Sequence, residues 1–174
     1  KEISNELSVD LIIDKSITKE NAIYFEDIND LKNYIRNIQT QIKLKPQENT
    51  HKELNSYLRY GPCDDIEGLY TGVALTSGYA NLNYSVSVNN GNVEDVNGFF
   101  SGWTLGAGYT NGGYSQTSSQ NSIDVTTTGT VNYSLFWNGF GTLYSQPVRY
   151  GISIPCGDGG GGKPRIYPLP FSSK

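Results

Sequence analysis

Few residues in this chain have the chemistry that catalysis needs. Its one histidine, His51, stands among charged neighbours at a predicted helix start, so a serine or cysteine triad lacks a suitable base. Cys63 and Cys156 are better explained as partners of each other than as a nucleophile and a spare thiol. One histidine and two distant cysteines also make a poor zinc site. We therefore expect no catalytic residue, and the prediction leans away from an enzyme.

Glycoside hydrolysis needs only two carboxylates on facing strands. Between residues 69 and 154 the carboxylates are Glu94, Asp95 and Asp124. Glu94 and Asp95 are adjacent, so on a strand they point to opposite faces, and Asp124 falls on a polar face. All three are expected to be solvated charges rather than a catalytic pair.

An acidic cluster follows the two cysteines. A disulfide would bring four carboxylates together, and calcium takes about six to eight oxygen ligands, to which carboxylates, backbone carbonyls and water all contribute. The alternative is a solvated acidic turn. The carboxylates are Asp64, Asp65 and Glu67 after Cys63, and Asp158 after Cys156.

The cysteines also bear on the cellular compartment. They flank the most β-like stretch, residues 69–154, so we expect a disulfide that encloses it. Such a bridge stabilises by roughly 4 to 5 kcal/mol in the chain-entropy model and persists in oxidising compartments. The chain has no methionine, even at position 1, which fits removal of a leader segment. The expected location is secreted or on the cell surface.

Charge is distributed unevenly along the chain. Residues 1–68 carry 9 Lys and Arg against 13 Asp and Glu, whereas residues 69–154 carry only four charged side chains. The formal net charge of −4 removes the electrostatic basis for nucleic-acid binding or a polybasic membrane surface. Because no run of about 18 apolar residues occurs, we expect no transmembrane helix.

Aromatic residues on this weakly charged background favour recognition. The chain has 13 Tyr and 2 Trp, and aromatic rings stack on sugars or fill protein pockets while amides and hydroxyls form adaptable hydrogen bonds. The leading hypothesis is a secreted, non-catalytic module for a glycan or a cell-surface protein. Exposed contacts are expected from the aromatic residues in or beside glycine-rich turns, namely Tyr79, Trp103, Tyr109 and Tyr114.

Two other function classes stay open. Residues 114–134 have low charge and sparse alternating apolar positions, a pattern that suits a membrane-active hairpin of an oligomeric pore-forming toxin. The second class is an inhibitor or interaction protein that blocks its partner with a loop or with the segment after Gly162.

The elements that position these residues divide the chain into three parts. In residues 1–62, alternating apolar residues predict a strand from Leu7 to Ile13 and a shorter one at 22–25. Apolar spacings of three and four predict a helix over 28–42, and a capping box at Thr50 predicts a second helix.

In the second part, residues 63–156, the apolar period changes to two. Asn-Gly pairs predict tight turns between about eight short antiparallel strands, and the last pair sets Trp137 opposite Phe140 and Tyr133 opposite Tyr144. The predicted fold is mainly β (α+β): an antiparallel sandwich or small meander barrel with one or two amino-terminal helices packed against it. The pairs are Asn90-Gly91, Asn97-Gly98, Asn111-Gly112 and Asn138-Gly139.

The third part, residues 157–174, begins with a glycine run that predicts a flexible joint. A proline-spaced apolar segment follows, which favours an extended polyproline-like conformation. We expect it to lie along the domain, with docking into a partner's groove as the alternative.

Overall fold

The computed structural model describes residues 2–43, 63–77, 80–119, 121–156 and 163–171. Over these residues the chain is a mainly antiparallel β-sandwich with two helices, which confirms the predicted fold class. The strands form two separate sheets there, rather than a closed barrel. The helices are α1 (Glu2–Leu7) and α2 (Ile28–Lys43); the strands are β1 (Leu11–Ile13), β2 (Ile23–Phe25), β3 (Gly68–Ser77), β4 (Ala80–Asn89), β5 (Asn92–Gly102), β6 (Ala107–Ser118), β7 (Ser122–Trp137), β8 (Phe140–Pro155) and β9 (Arg165–Pro168).

Two meanders build the sandwich. The smaller sheet has the order β3-β4-β5, and the larger is centred on β7 and β8, which pair from Ser122↔Pro155 to Trp137↔Phe140. Short strands extend the larger sheet. Strands β1 and β9 both pair with the outer edge of β8. Strands β6 and β2 both pair with the outer edge of β7, and β2 runs parallel to it. The amino-terminal, central and carboxy-terminal parts therefore all contribute strands to one sheet.

The core lies between the two sheets and is completed by α2. Alternate residues of β4 and of β7 and β8 are buried, as the period of two predicts. From α2, Leu31, Ile35 and Ile38 enter the same cluster. The helix begins where expected, because Asn29 N donates to Asp27 Oδ1 at 2.5 Å. The second predicted helix, at Thr50, falls outside the described residues.

The amino-terminal strand prediction is wrong in its first half. Residues Glu2–Leu7 form α1, and the strand is confined to Leu11–Ile13. The helix ends at Ser8, whose φ is 51°, while Val9 N donates to Ser4 O at 3.0 Å. Glu6 of α1 pairs with Lys32 and Arg36 of α2, so a tertiary contact holds the helix that ends at Leu7, the residue where the predicted strand was to begin. The shorter predicted strand at 22–25 is confirmed as β2.

Two of the four Asn-Gly pairs form the expected turns. Asn90 and Asn138 have φ of 48°, and the glycines that follow also have positive φ, as a type I′ turn requires. The predicted facing of Trp137 with Phe140 and of Tyr133 with Tyr144 is confirmed.

The prediction of turns at Asn97-Gly98 and Asn111-Gly112 is wrong, because the first pair lies inside β5 and the second inside β6. The eight short strands expected in this region are instead six longer ones, β3 to β8. Asn111 uses its side chain across the β5–β6 boundary: its Oδ1 accepts from Gly98 N at 3.1 Å and its Nδ2 donates to Asn97 Oδ1 at 2.9 Å. These asparagines bridge the two sheets rather than reverse the chain.

A disulfide joins Cys63 and Cys156, with their Cα atoms 5.2 Å apart, as the sequence predicted. Cys63 begins a 3₁₀ turn ahead of β3, and Cys156 directly follows β8, so the bridge ties the smaller sheet to the larger. The β4–β5 turn packs on the same place, since Gly91 N donates to Ile66 O at 3.0 Å.

The carboxy-terminal segment forms a strand rather than the expected polyproline-like run. Ile166 and Tyr167 of β9 pair with Ile152 and Gly151 of β8. A Cβ at Gly151 would stand 2.4 Å from the Tyr167 ring, so the missing side chain makes room for that ring. The segment lies along the domain as predicted, held by a backbone ladder.

Candidate functional site

An open cleft of about 380 Å³ lies beside the β5–β6 connection. It brings together residues from four parts of the chain: the loop before β2 and β2 itself, α2, the start of β4, and the β5–β6 turn. Most of its lining is apolar or aromatic. The lining residues are Lys19, Ala22, Ile23, Tyr24, Phe25, Tyr34, Ala80, Trp103, Leu105 and Ala107.

One wall is a tight turn that presents Trp103 and Leu105. Gly102 and Gly106 flank the turn with φ of 91° and 72°, a region that favours glycine. Ala107 N donates to Thr104 O at 2.9 Å within the turn. Ser134 N of β7 donates to Gly106 O at 2.7 Å, which fixes the turn to the larger sheet.

Another part of the lining comes from β2 and the loop before it. Tyr24 is 40% exposed, and Lys19 Nζ lies 3.9 Å from the centroid of its ring, a cation–π contact. The loop is held by Asn21, whose Oδ1 accepts from Thr18 N at 2.7 Å and whose Nδ2 donates to Ser16 O at 3.1 Å. Lys19 therefore projects from a braced turn.

The floor of the cleft combines small side chains with a packed aromatic chain. Ala22 and Ala80 are buried, and their methyl groups leave the space open. Phe25 and Tyr34 have ring centroids 5.4 Å apart, and Tyr34 meets Tyr133 edge-on at 6.0 Å. Because Tyr133 belongs to the core, these aromatic residues connect the cleft to the core of the sandwich.

Two of the predicted contact residues lie away from this cleft. The Tyr109 ring packs inside the sandwich, with its hydroxyl 2.7 Å from that of Tyr84. Burial raises the pKa of both phenols, most strongly that of Tyr84. Tyr114 lies on the β5–β6 boundary and donates to Val93 O and Glu94 O, at 3.3 and 3.0 Å. Both rings hold the two sheets together.

Of the other predicted contacts, Trp103 lies in the cleft and is 59% exposed, while Tyr79 is outside the described residues. Sequence reasoning missed Tyr24, Leu105 and Lys19. The glycines at 102 and 106 were a local signal for the turn that carries Leu105. No local signal places Tyr24 and Lys19 beside that turn, since they lie far earlier in the chain.

The acidic residues that follow Cys63 are exposed, and they lie just before the start of β3. Asp64 and Asp65 belong to the 3₁₀ turn and Glu67 follows it. Asp158 lies outside the described residues, and so does His51. Within the described ranges no group of three or more His, Cys, Asp or Glu side chains is arranged to hold a metal ion.

A larger groove, of about 490 Å³, lies between α2 and the carboxy-terminal segment. Pro147, Pro168 and Pro170 line much of it, and Arg149 crosses it to donate to Pro170 O at 3.4 Å. Phe171 is the exposed aromatic residue among its lining. The smaller cleft therefore offers the stronger aromatic surface.

Of the two described helices, neither combines the length and the apolar character needed to cross a membrane. No protein-family model, curated protein or solved structure shows significant similarity to the chain.

Proposed function

We propose that this protein is a non-catalytic recognition domain that binds a glycan in the cleft lined by Trp103 and Tyr24. The observation that carries the proposal is the pair of exposed aromatic side chains, 59% and 40% accessible, that line one open cleft together with small alanines. The flat apolar face of a sugar ring stacks on the ring of Trp103, since Lys19 Nζ lies over the ring of Tyr24. The small floor residues leave depth for the sugar.

The polar groups of the cleft also suit a sugar. Lys19 Nζ is a donor at the rim, and within the described part of the chain the Tyr24 hydroxyl forms no hydrogen bond. Both groups are therefore free to bind sugar hydroxyls beside the stacked ring. A lipid or other wholly apolar ligand needs a more enclosed site, because this cleft would leave much of it in water.

An extracellular location is part of the proposal. The Cys63–Cys156 disulfide supports it, since such bridges persist where the environment is oxidising. The sparse charge of residues 69–154 supports it as well, because the surface of this part depends on Asn, Ser and Thr.

The two other function classes have less support. Ile123, Val125 and Val131 of the suggested membrane hairpin are at most 1% exposed, so insertion would require them to leave the core. The segment after Gly162 already pairs with β8 through β9, so blocking a partner with it would require its release.

A glycan array tests the proposal with three proteins. The wild type should bind a defined set of glycans, Trp103→Ala should lose that binding by tenfold or more, and Phe99→Ala should retain it. Phe99 is the control because it is an exposed aromatic residue, 40% accessible, that lies outside the cleft on the outer face of the smaller sheet. Thermal melts establish that each variant is folded. Glycan binding that survives Trp103→Ala, or no binding by the wild type, would overturn the proposal.

A further inference from the structure

We infer that the glycan bound in the cleft carries a single carboxylate, as a uronic acid does, and that Lys19 binds it. This inference rests on the proposed function and deepens it. It gives Lys19 the role of selecting an acidic sugar over the neutral sugar of the same shape.

The charge in the lining of the cleft is positive. Lys19 is the only charged residue among the described lining residues. Its ammonium lies over the ring of Tyr24, 3.9 Å from the ring centroid, and forms no ion pair within 4 Å in the described part of the chain. A carboxylate on a sugar bound in the cleft would meet an ammonium group whose position the Tyr24 ring already restricts.

The nearest carboxylate along the chain is engaged elsewhere. Glu20 accepts a hydrogen bond from the Thr18 side chain, and this bond is the main reason that the pKa of Glu20 is lowered. The Lys19 charge contributes least to that shift. Glu20 therefore partners mainly its own turn, and Lys19 stays available to a ligand.

The charge of the whole chain limits how acidic the ligand can be. The formal net charge of the chain is −4. Residues 1–68 have a net charge of −4 by themselves, and the charges of the remaining residues cancel. A densely sulfated polyanion would be repelled by this background, because long-range electrostatics follow the summed charge. One carboxylate at one ammonium is the arrangement that avoids this repulsion.

The test uses matched pairs of methyl glycosides that differ only at C6: a uronate and its neutral hexoside, in the gluco, galacto and manno configurations. Binding is measured by NMR titration to wild type, Lys19→Gln, Lys19→Arg and Trp103→Ala. In at least one pair the uronate should bind about five- to tenfold more tightly than the hexoside. Lys19→Gln should remove this preference, Lys19→Arg should keep most of it, and raising salt should weaken only the uronate.

The two proposals fail in different ways. If uronate and hexoside bind equally, and Lys19→Gln changes neither while Trp103→Ala abolishes both, the carboxylate inference is wrong and the glycan proposal stands. If neither member of any pair binds, or if Trp103→Ala leaves binding unchanged, the glycan proposal is wrong and the inference falls with it. A preference for the uronate that persists in Lys19→Gln also overturns the inference.

Discussion

The ring of Tyr109 lies directly against the backbone of Gly98, where an added Cβ would stand 2.2 Å from its Cε1 atom. On the other side of the ring, a Cβ at Gly129 would stand 2.1 Å from the Tyr109 hydroxyl oxygen. Two strands from different sheets, β5 and β7, therefore lack side chains where one tyrosine of β6 packs between them. Its hydroxyl then reaches Tyr84 and, at 3.2 Å, Thr128 O.

Adding a methyl group at either glycine should destabilise the domain. Gly98→Ala and Gly129→Ala should each lower the free energy of unfolding by about 1 to 3 kcal/mol, because the ring must shift and weaken its hydroxyl contacts. Urea denaturation measures this change. Gly108→Ala is the matched control, since a Cβ there meets nothing within 4 Å. Equal stability of Gly98→Ala and Gly108→Ala would refute the packing role.

This arrangement shows where sequence reasoning reaches its limit. Helix α2 and the β7–β8 hairpin were predictable because their signals are local: apolar periodicity and an Asn-Gly turn. Gly98 carries the same Asn-Gly signal, yet it serves a contact with a residue on another strand. The residues of the cleft show the same difference between local and long-range signals. Trp103 was identified from its own turn, whereas Tyr24 reaches it only through the parallel pairing of β2 with β7.

The disulfide should stabilise the fold without being required for it. Reduction removes a constraint across a sequence separation of 93 residues, which corresponds to roughly 4 to 5 kcal/mol. The melting temperature should therefore fall by about 8 to 20 °C, with the β-sheet signal retained at low temperature because the hairpins form local contacts. Calorimetry with and without reductant measures the shift. An unchanged melting temperature, or two reactive thiols in the unfolded, unreduced protein, would contradict the bridge.

The buried tyrosines should make the domain sensitive to high pH. Burial, with a contribution from Tyr133, raises the pKa of Tyr144 to about 12, and burial also raises the pKa values of Tyr84 and Tyr150. The folded state therefore keeps these protons above pH 10, where the unfolded chain releases them. Their contribution to stability is complete below about pH 10 and decreases as the pH rises towards 12 and beyond, by about 1.4 kcal/mol per pH unit for each such group.

Urea titrations at pH 8, 10 and 11.5 measure this loss, and absorbance at 295 nm follows phenolate formation. Tyr144→Phe is the control, because a variant without that hydroxyl should lose stability less steeply above pH 10. If all tyrosines of the folded protein ionised together near pH 10, the proposed burial effect would be absent.

Filling the cleft should abolish binding while Trp103 stays in place. Ala107 lines the cleft at the start of β6 and is only partly buried, so Ala107→Leu adds bulk inside the cleft with little change to the core. We expect at least a tenfold loss of glycan affinity and a change in unfolding free energy below about 1.5 kcal/mol. Isothermal titration calorimetry with the best array ligand measures the affinity. Full affinity in Ala107→Leu would mean that the ligand binds elsewhere.

The two tryptophans allow the glycan site to be located within one NMR experiment. Trp103 is exposed in the cleft. Trp137 is half-buried beside the β7–β8 turn and is not among the residues that line the cleft. In a titration of the ¹⁵N-labelled protein with its array ligand, the indole N–H signal of Trp103 should move progressively and that of Trp137 should stay fixed. A shift of Trp137 alone, or of neither indole at saturating ligand, would contradict binding in the Trp103 cleft.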